Sequence, residues 1–131
     1  MNLNFSFAFF AFNSSMRHHN VNRKFGRVRK VRRALLSSLA ASLIIKNAIT
    51  TTLSKAKELR PFVEKLVSKS REMDIAAKKL LARRLHSQAA LARLFASLAP
   101  KYKDRKGGYT RITKIGNRRG DGATVARIEF V

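Results

Sequence analysis

The sequence predicts an α+β fold: three to four helices packed on a small three-stranded sheet, with a basic extended N-terminal arm in front. Three observations carry this expectation. Apolar residues recur at helical spacing through the middle of the chain, two-residue alternation takes over near the end, and one short β-branched run at 48–53 separates two helical stretches. With 131 residues the chain can build one hydrophobic core. A single domain is therefore expected over 31–131, preceded by a basic arm at 16–30 and an upstream extension at 1–15.

The extension holds an apolar, Phe-rich run at residues 3–12 (LNFSFAFFAF), about half of the ~20 residues a membrane-spanning helix needs. Nothing charged precedes Arg17, so neither a secretory signal nor an Arg-rich transit peptide is read there. Met16 is the expected functional start. Residues 17–33 (RHHNVNRKFGRVRKVRR) then carry eight Lys or Arg and no acid. A stretch that cannot neutralise its own charge does not pack by itself, so its first part is expected to stay extended until a polyanion is met.

From Val28 the pattern becomes helical. Val28, Val31, Leu35, Leu39 and Leu43, with Leu36, Ala40 and Ile44 beside them, predict an amphipathic helix running to about Asn47. Residues 48–53 (AITTTL) follow as a first strand, because stiff β-branched side chains suit a pleated sheet. Ser54 is the expected cap of a second helix ending at Ser70, with Ala56, Leu59, Val63, Leu66 and Val67 as its buried stripe. Pro61 lacks the N–H that would bond Lys57, which predicts a kink or a 3₁₀ opening. Asp74 is read as the cap of a third helix to about Leu85, with Ile75, Leu81 and Leu85 inward and Lys78, Lys79, Arg83 and Arg84 outward. Ser87 offers a cap for a fourth, in which Leu91, Leu94, Phe95 and Leu98 face the core until Pro100 stops it. The third and fourth can equally be one rod, since 86–90 holds no hard breaker.

The basic loop 101–108 (KYKDRKGG) ends in a glycine pair. Tyr109 to Ile115 reads as a strand, 116–122 (GNRRGDG) as a turn, and 123–131 as a strand in which Ala126, Ile128 and Phe130 alternate with Arg127 and Glu129. These two segments form a hairpin with one buried face.

Charge bounds the function. Lys and Arg total 29 against 7 Asp and Glu, a net charge of +22, so the chain repels itself and seeks a polyanion. Eight cations fall in 17–33: Arg17, Arg23, Lys24, Arg27, Arg29, Lys30, Arg32 and Arg33. Eight more fall in 101–119: Lys101, Lys103, Arg105, Lys106, Arg111, Lys114, Arg118 and Arg119, with only Asp104 among them. Solvated faces mix signs, so both clusters are read as nucleic-acid contacts driven by counterion release. Abundant Arg, with His18, His19, Phe25, Tyr102 and Tyr109 interleaved, favours RNA, whose splayed bases stack on such rings. A membrane anchor built from the Phe-rich start and the arm would leave the second cluster unused.

Catalysis is not expected. Glu58, Glu64, Glu72, Asp74, Asp104, Asp121 and Glu129 show no paired spacing, and no His lies near an Asp and a Ser in a triad motif. Adjacent His18 and His19, without Cys or a helical His pair, do not make a metal site. Gly116, Gly120 and Gly122 match no P-loop or dinucleotide fingerprint. No cofactor and no small-molecule substrate are implied. The alternative in another binding class is a DNA-architectural protein of the nucleoid type.

Three stretches resemble the seventeenth protein family of the bacterial large ribosomal subunit. The first is Met16-Arg17-His18 leading to Arg23-Lys24-Phe25-Gly26-Arg27, Arg32-Arg33-Ala34-Leu35-Leu36 and Leu39-Ala40-Ala41-Ser42-Leu43. The second is Ile49-Thr50-Thr51-Thr52-Leu53 followed by Lys55-Ala56-Lys57-Glu58-Leu59-Arg60. The third and most specific is Gly107-Gly108-Tyr109-Thr110-Arg111-Ile112, with Gly120-Asp121, Ala123 and Ala126 to Phe130 after it. The resemblance runs from Met16 to Val131. It implies an α+β domain in the cytoplasmic ribosome, packed on large-subunit ribosomal RNA near the peptide exit, with the arm entering the RNA and other large-subunit proteins as neighbours. Two departures stand out. Val28-Arg29-Lys30-Val31 replaces a Ser-Ser-His run that would cap the first helix, and Pro61 replaces a non-proline residue.

Overall fold

The computed structural model of the chain describes residues 22–131. Helix α1 spans Arg29–Lys46, strand β1 Ala48–Thr52, α2 Leu53–Ser70 and α3 Ile75–Leu85. A last helical rod follows, made of α4 (Gln88–Arg93), a π-helical segment (Leu94–Leu98) and α5 (Ala99–Lys101). Strands β2 (Thr110–Asn117) and β3 (Thr124–Phe130) complete the domain. The expected α+β architecture is present, with its helices on an antiparallel three-stranded sheet.

The sheet order is β1-β3-β2, so β3 is the centre and, among the described residues, both other strands pair only with it. The register places Ile49, Ile128 and Ile112 in one row across the sheet. Successive strand residues face opposite sides, so this row and Ala126 face the helices while Thr50, Arg127 and Thr113 face outward. Ile128 and Ala126 are fully buried, and Ile49, Ile112 and Phe130 pack against the core. A bulge between Lys114 and Gly116 interrupts the β2 ladder, which resumes at Gly116 opposite Val125, and leaves Ile115 60% exposed.

Helix α2 carries its expected stripe: Ala56, Leu59, Val63, Leu66 and Val67 are all buried. Burial of the four Leu and Val side chains among them contributes roughly 1.5–3 kcal/mol each. That stripe explains why α2 stays α-helical through Pro61, where the sequence predicts a kink or a 3₁₀ opening and the 3₁₀ opening is not found: the proline ring lies on the exposed side and removes one backbone bond. Ser54 does not cap the helix either. It lies inside α2, and Thr52 holds the cap position without a side-chain bond. Strand and helix adjoin without a turn.

Three apolar residues expected inside are exposed: Val28 (70%), Val31 (49%) and Ile75 (70%). The buried face of α1 starts only at Ser37 and continues with Ala40, Leu43 and Ile44, so its first two turns project beyond the core. In α3 the buried face is Ala77, Leu81 and Leu85, a strict four-residue spacing that Ile75 precedes. Asp74 does cap α3, accepting from the Ile75 N–H at 2.7 Å.

The third and fourth helices are separate. His86 takes a left-handed backbone (φ 52°) and ends α3, and the Ser87 hydroxyl then accepts from the Ala90 N–H at 3.3 Å to start α4. Pro100 does not stop the last rod, which continues to Lys101. The widened π turn falls immediately before Pro100, whose ring would meet the Ala96 carbonyl in a regular helix.

Two tyrosines close the core. Tyr102 and Tyr109 are 2% and 0% exposed, with ring centroids 5.1 Å apart. The Tyr102 hydroxyl donates to the Val131 carbonyl at 2.7 Å, and the Val131 N–H donates to the Tyr109 carbonyl at 3.0 Å. Together these bonds hold the end of β3 against the basic loop.

Candidate nucleic-acid interface

The first basic cluster is described from Arg23 onward; Arg17, His18 and His19 lie outside the described residues. The chain turns at Phe25 and Gly26, both in the left-handed region, closed by the Arg27 N–H on the Lys24 carbonyl (3.1 Å) and the Arg27 guanidinium on the Phe25 carbonyl (2.8 Å). Arg23 reaches α2 and pairs with Glu58 at 3.0 Å, so this part of the arm is tied to the domain. Helix α1 starts at Arg29, inside the expected arm. Its first turn contains no acid and no side-chain cap. Arg29, Lys30 and Arg33 are exposed, and together with His86 they line a cleft of about 710 Å³ where α1 passes the α3–α4 corner.

That packing has a specific anchor. Ser37, 5% exposed, donates its hydroxyl to the Leu85 carbonyl at 2.8 Å. The bond joins the middle of α1 to the end of α3 and so sets His86, the next residue, beside the cations one turn earlier on α1. His86 was not singled out from the sequence, because it is neither a charge run nor a Gly or Pro; only its neighbours across the fold give it a place.

The loop part of the second cluster is held by one half-buried arginine. Arg71, at the end of α2, donates Nη2 to the Lys103 carbonyl (2.8 Å) and Nη1 to the Tyr109 hydroxyl (3.2 Å). Tyr109 in turn donates to the Arg105 carbonyl at 3.0 Å. These bonds clip the loop between Lys101 and Tyr109 to the helix layer and leave Lys101, Lys103, Arg105 and Lys106 exposed. Tyr109, expected as a contact residue, and Tyr102, expected with it as a stacking ring, are both corrected: both rings are buried and both hydroxyls bond within the chain, so neither stacks on a base.

Along the hairpin Arg111, Lys114, Arg118 and Arg119 are exposed. Arg118 grips Asp121 with two bonds, Nε to Oδ1 at 2.8 Å and Nη2 to Oδ2 at 2.6 Å. The Arg118 hydrogen bond, with the Ala123 N–H adding to it, lowers the Asp121 carboxyl to about 2, and the Arg118 guanidinium is raised in return. Within the two clusters, among the described residues, only Arg23 and Arg118 have carboxylate partners; the other ion pairs are Arg60–Glu64, Lys69–Glu72 and Arg127–Glu129. The surface therefore presents rows of cations whose countercharge the described chain does not supply. Guanidinium and ammonium groups so placed suit phosphate oxygens. Lys78, Lys79, Arg83 and Arg84 on α3 add exposed cations outside both clusters.

Among the described residues no group of His, Asp and Glu is arranged to hold a metal ion, and no helix is long and apolar enough to cross a membrane. Residues 35–131 match the family described as Ribosomal protein L17. Three relatives carry the name Large ribosomal subunit protein bL17. That of Gemmatimonas aurantiaca is 51% identical over 116 residues, covering 88% of this chain and 98% of the relative. That of Thermomicrobium roseum is 49% identical over the same length, covering 88% and 99%. That of Sphingopyxis alaskensis is 51% identical, covering 88% and 84%. Half of the aligned residues identical, over nearly the whole of two such relatives, and a family match that runs from within α1 through β3, decide the lineage: the chain belongs to the ribosomal protein L17 family.

Proposed function

We propose that the chain is a structural constituent of the large ribosomal subunit and binds large-subunit ribosomal RNA through phosphate contacts on two basic surfaces, without catalysing a reaction. The observation that carries this is the set of exposed cations with no carboxylate partner among the described residues of both clusters, with Ser37 fixing α1 and Arg71 fixing the loop before β2. The proposed contacts are Arg17, His18, His19, Arg23, Lys24, Arg27, Arg29, Lys30, Arg32 and Arg33 on one surface and Lys101, Lys103, Arg105, Lys106, Arg111, Lys114, Arg118 and Arg119 on the other. Tyr109 is withdrawn as a contact and becomes a positioning residue for the second surface. The protein works on the ribosome in the cytoplasm, beside RNA and neighbouring ribosomal proteins. Family membership favours ribosomal RNA over the duplex-DNA reading.

Phosphate contacts fix position, and the shape of the folded RNA supplies specificity. Affinity of the full chain for large-subunit ribosomal RNA is expected to fall steeply with salt, each phosphate contact adding about 0.7 to 0.9 to the logarithmic slope. A complex insensitive to salt, or a chain that does not sediment with large subunits, contradicts the proposal.

A further inference from the structure

The first surface leads into a cavity whose walls are not all cationic. Beyond Arg29, Lys30 and Arg33, the cleft of about 710 Å³ continues into a second hollow of about 430 Å³ along α1, and His86 lines both. Ser38 and Ser42 line the second hollow. Volumes of this order are those of small-molecule and cofactor pockets. Among the described residues, no carboxylate pairs with any of the three cations, and the His86 ring makes no hydrogen bond.

We infer that this cleft binds one nucleotide of the ribosomal RNA, with its phosphate between Arg29, Lys30 and Arg33 and its base on the His86 ring. The inference rests on the RNA-binding reading above and narrows it to a discrete site. Arg29 and Arg33 lie one helical turn apart on one face, so both reach the same anion. An imidazole is planar and stacks on an unpaired base. The Ser38 and Ser42 hydroxyls supply donors and acceptors for a ribose 2′-OH, the group by which RNA is told from DNA.

The backbone at His86 supports a role for the ring. At φ 52° the corner needs a left-handed residue, a conformation glycine adopts with less strain than histidine. The fold alone is therefore served at least as well by glycine, and the ring is left with no intramolecular bond to justify it.

The full-length chain bound to large-subunit ribosomal RNA tests this with two variants. His86→Gly keeps the corner and is expected to melt no lower than the parent. It should also weaken RNA binding by about 5- to 100-fold, the range for loss of one stacked base, and lose protection of a discrete RNA position in hydroxyl-radical footprinting. Because the sequence contains no Cys, Gln88→Cys provides a unique thiol on an exposed position beside His86 and outside the cleft. An iron chelate tethered there should cut the RNA at that same position. Unchanged affinity and footprint for His86→Gly, or no cleavage from residue 88, overturns the nucleotide site while RNA binding stands. A parent chain that fails to bind the RNA at all overturns the RNA reading itself.

Discussion

The Ser37 hydroxyl donates to the Leu85 carbonyl at 2.8 Å, across 48 residues of chain and in a buried setting. Leu85 is the last residue of α3, where backbone carbonyls run out of helical partners. A side chain from another helix therefore satisfies a helix end and sets the distance between the α1 cations and the α3–α4 corner.

Replacing Ser37 by Ala should leave the Leu85 carbonyl without this donor and lower stability by about 1–3 kcal/mol, the cost of an unsatisfied buried group. Urea denaturation of the variant measures it. A midpoint equal to that of the parent would show that water replaces the hydroxyl.

Tyr109→Phe removes the hydroxyl that receives Arg71 and donates to the Arg105 carbonyl. Stability should fall by about 1–2 kcal/mol, and RNA affinity should fall less than in a Lys103→Gln variant, because Arg71 still holds the Lys103 carbonyl and no phosphate contact is removed. An affinity loss as large as that of a Lys103→Gln variant, with unchanged stability, would restore Tyr109 to the contact set.

Pro61→Ala returns an N–H to the middle of α2, facing the Lys57 carbonyl. The gain should be about 1–3 kcal/mol, since a helix-interior proline is roughly 3 kcal/mol worse than alanine. Thermal melting reads the change, and a lower melting temperature would mean that the proline ring packs favourably.

Asp121 should titrate at about 2 instead of its ordinary 3.8, because its ionised form holds the Arg118 hydrogen bonds. Its folded-state value is depressed, so its contribution is complete above the ordinary carboxylate range and is lost as pH falls toward 2. The Ala123 amide, which donates to Asp121 Oδ1 at 3.2 Å, is the natural NMR reporter. A midpoint near 3.8, or a transition that survives Asp121→Asn, would refute the pairing in solution.

Much of this architecture was legible because local and tertiary signals agreed. The α2 stripe, the Asp74 and Ser87 caps and the alternation of Ala126, Ile128 and Phe130 all follow from periodicity and side-chain chemistry. Other features depend on what lies across the fold. Val28 and Ile75 fit helical periods but sit beyond the reach of any neighbouring layer. Ser54 had the chemistry of a cap and lost the position to Thr52, because strand and helix adjoin directly. Ser37 and Tyr109 look like surface chemistry in one dimension, and each is buried by a partner 38 or more residues away. The cations were readable as contacts, whereas the cleft that gathers three of them around His86 arises only from the α1 crossing.

The central position of β3 orders events during synthesis. A growing polypeptide can curl its helices as they emerge, yet β1 waits some seventy residues and β2 a further turn before either finds its mate. Until then the row of isoleucines has no middle member, and chains interrupted before Thr124 have an open hydrophobic underside on α2. Proteolytic clearance should fall most heavily on those unfinished products.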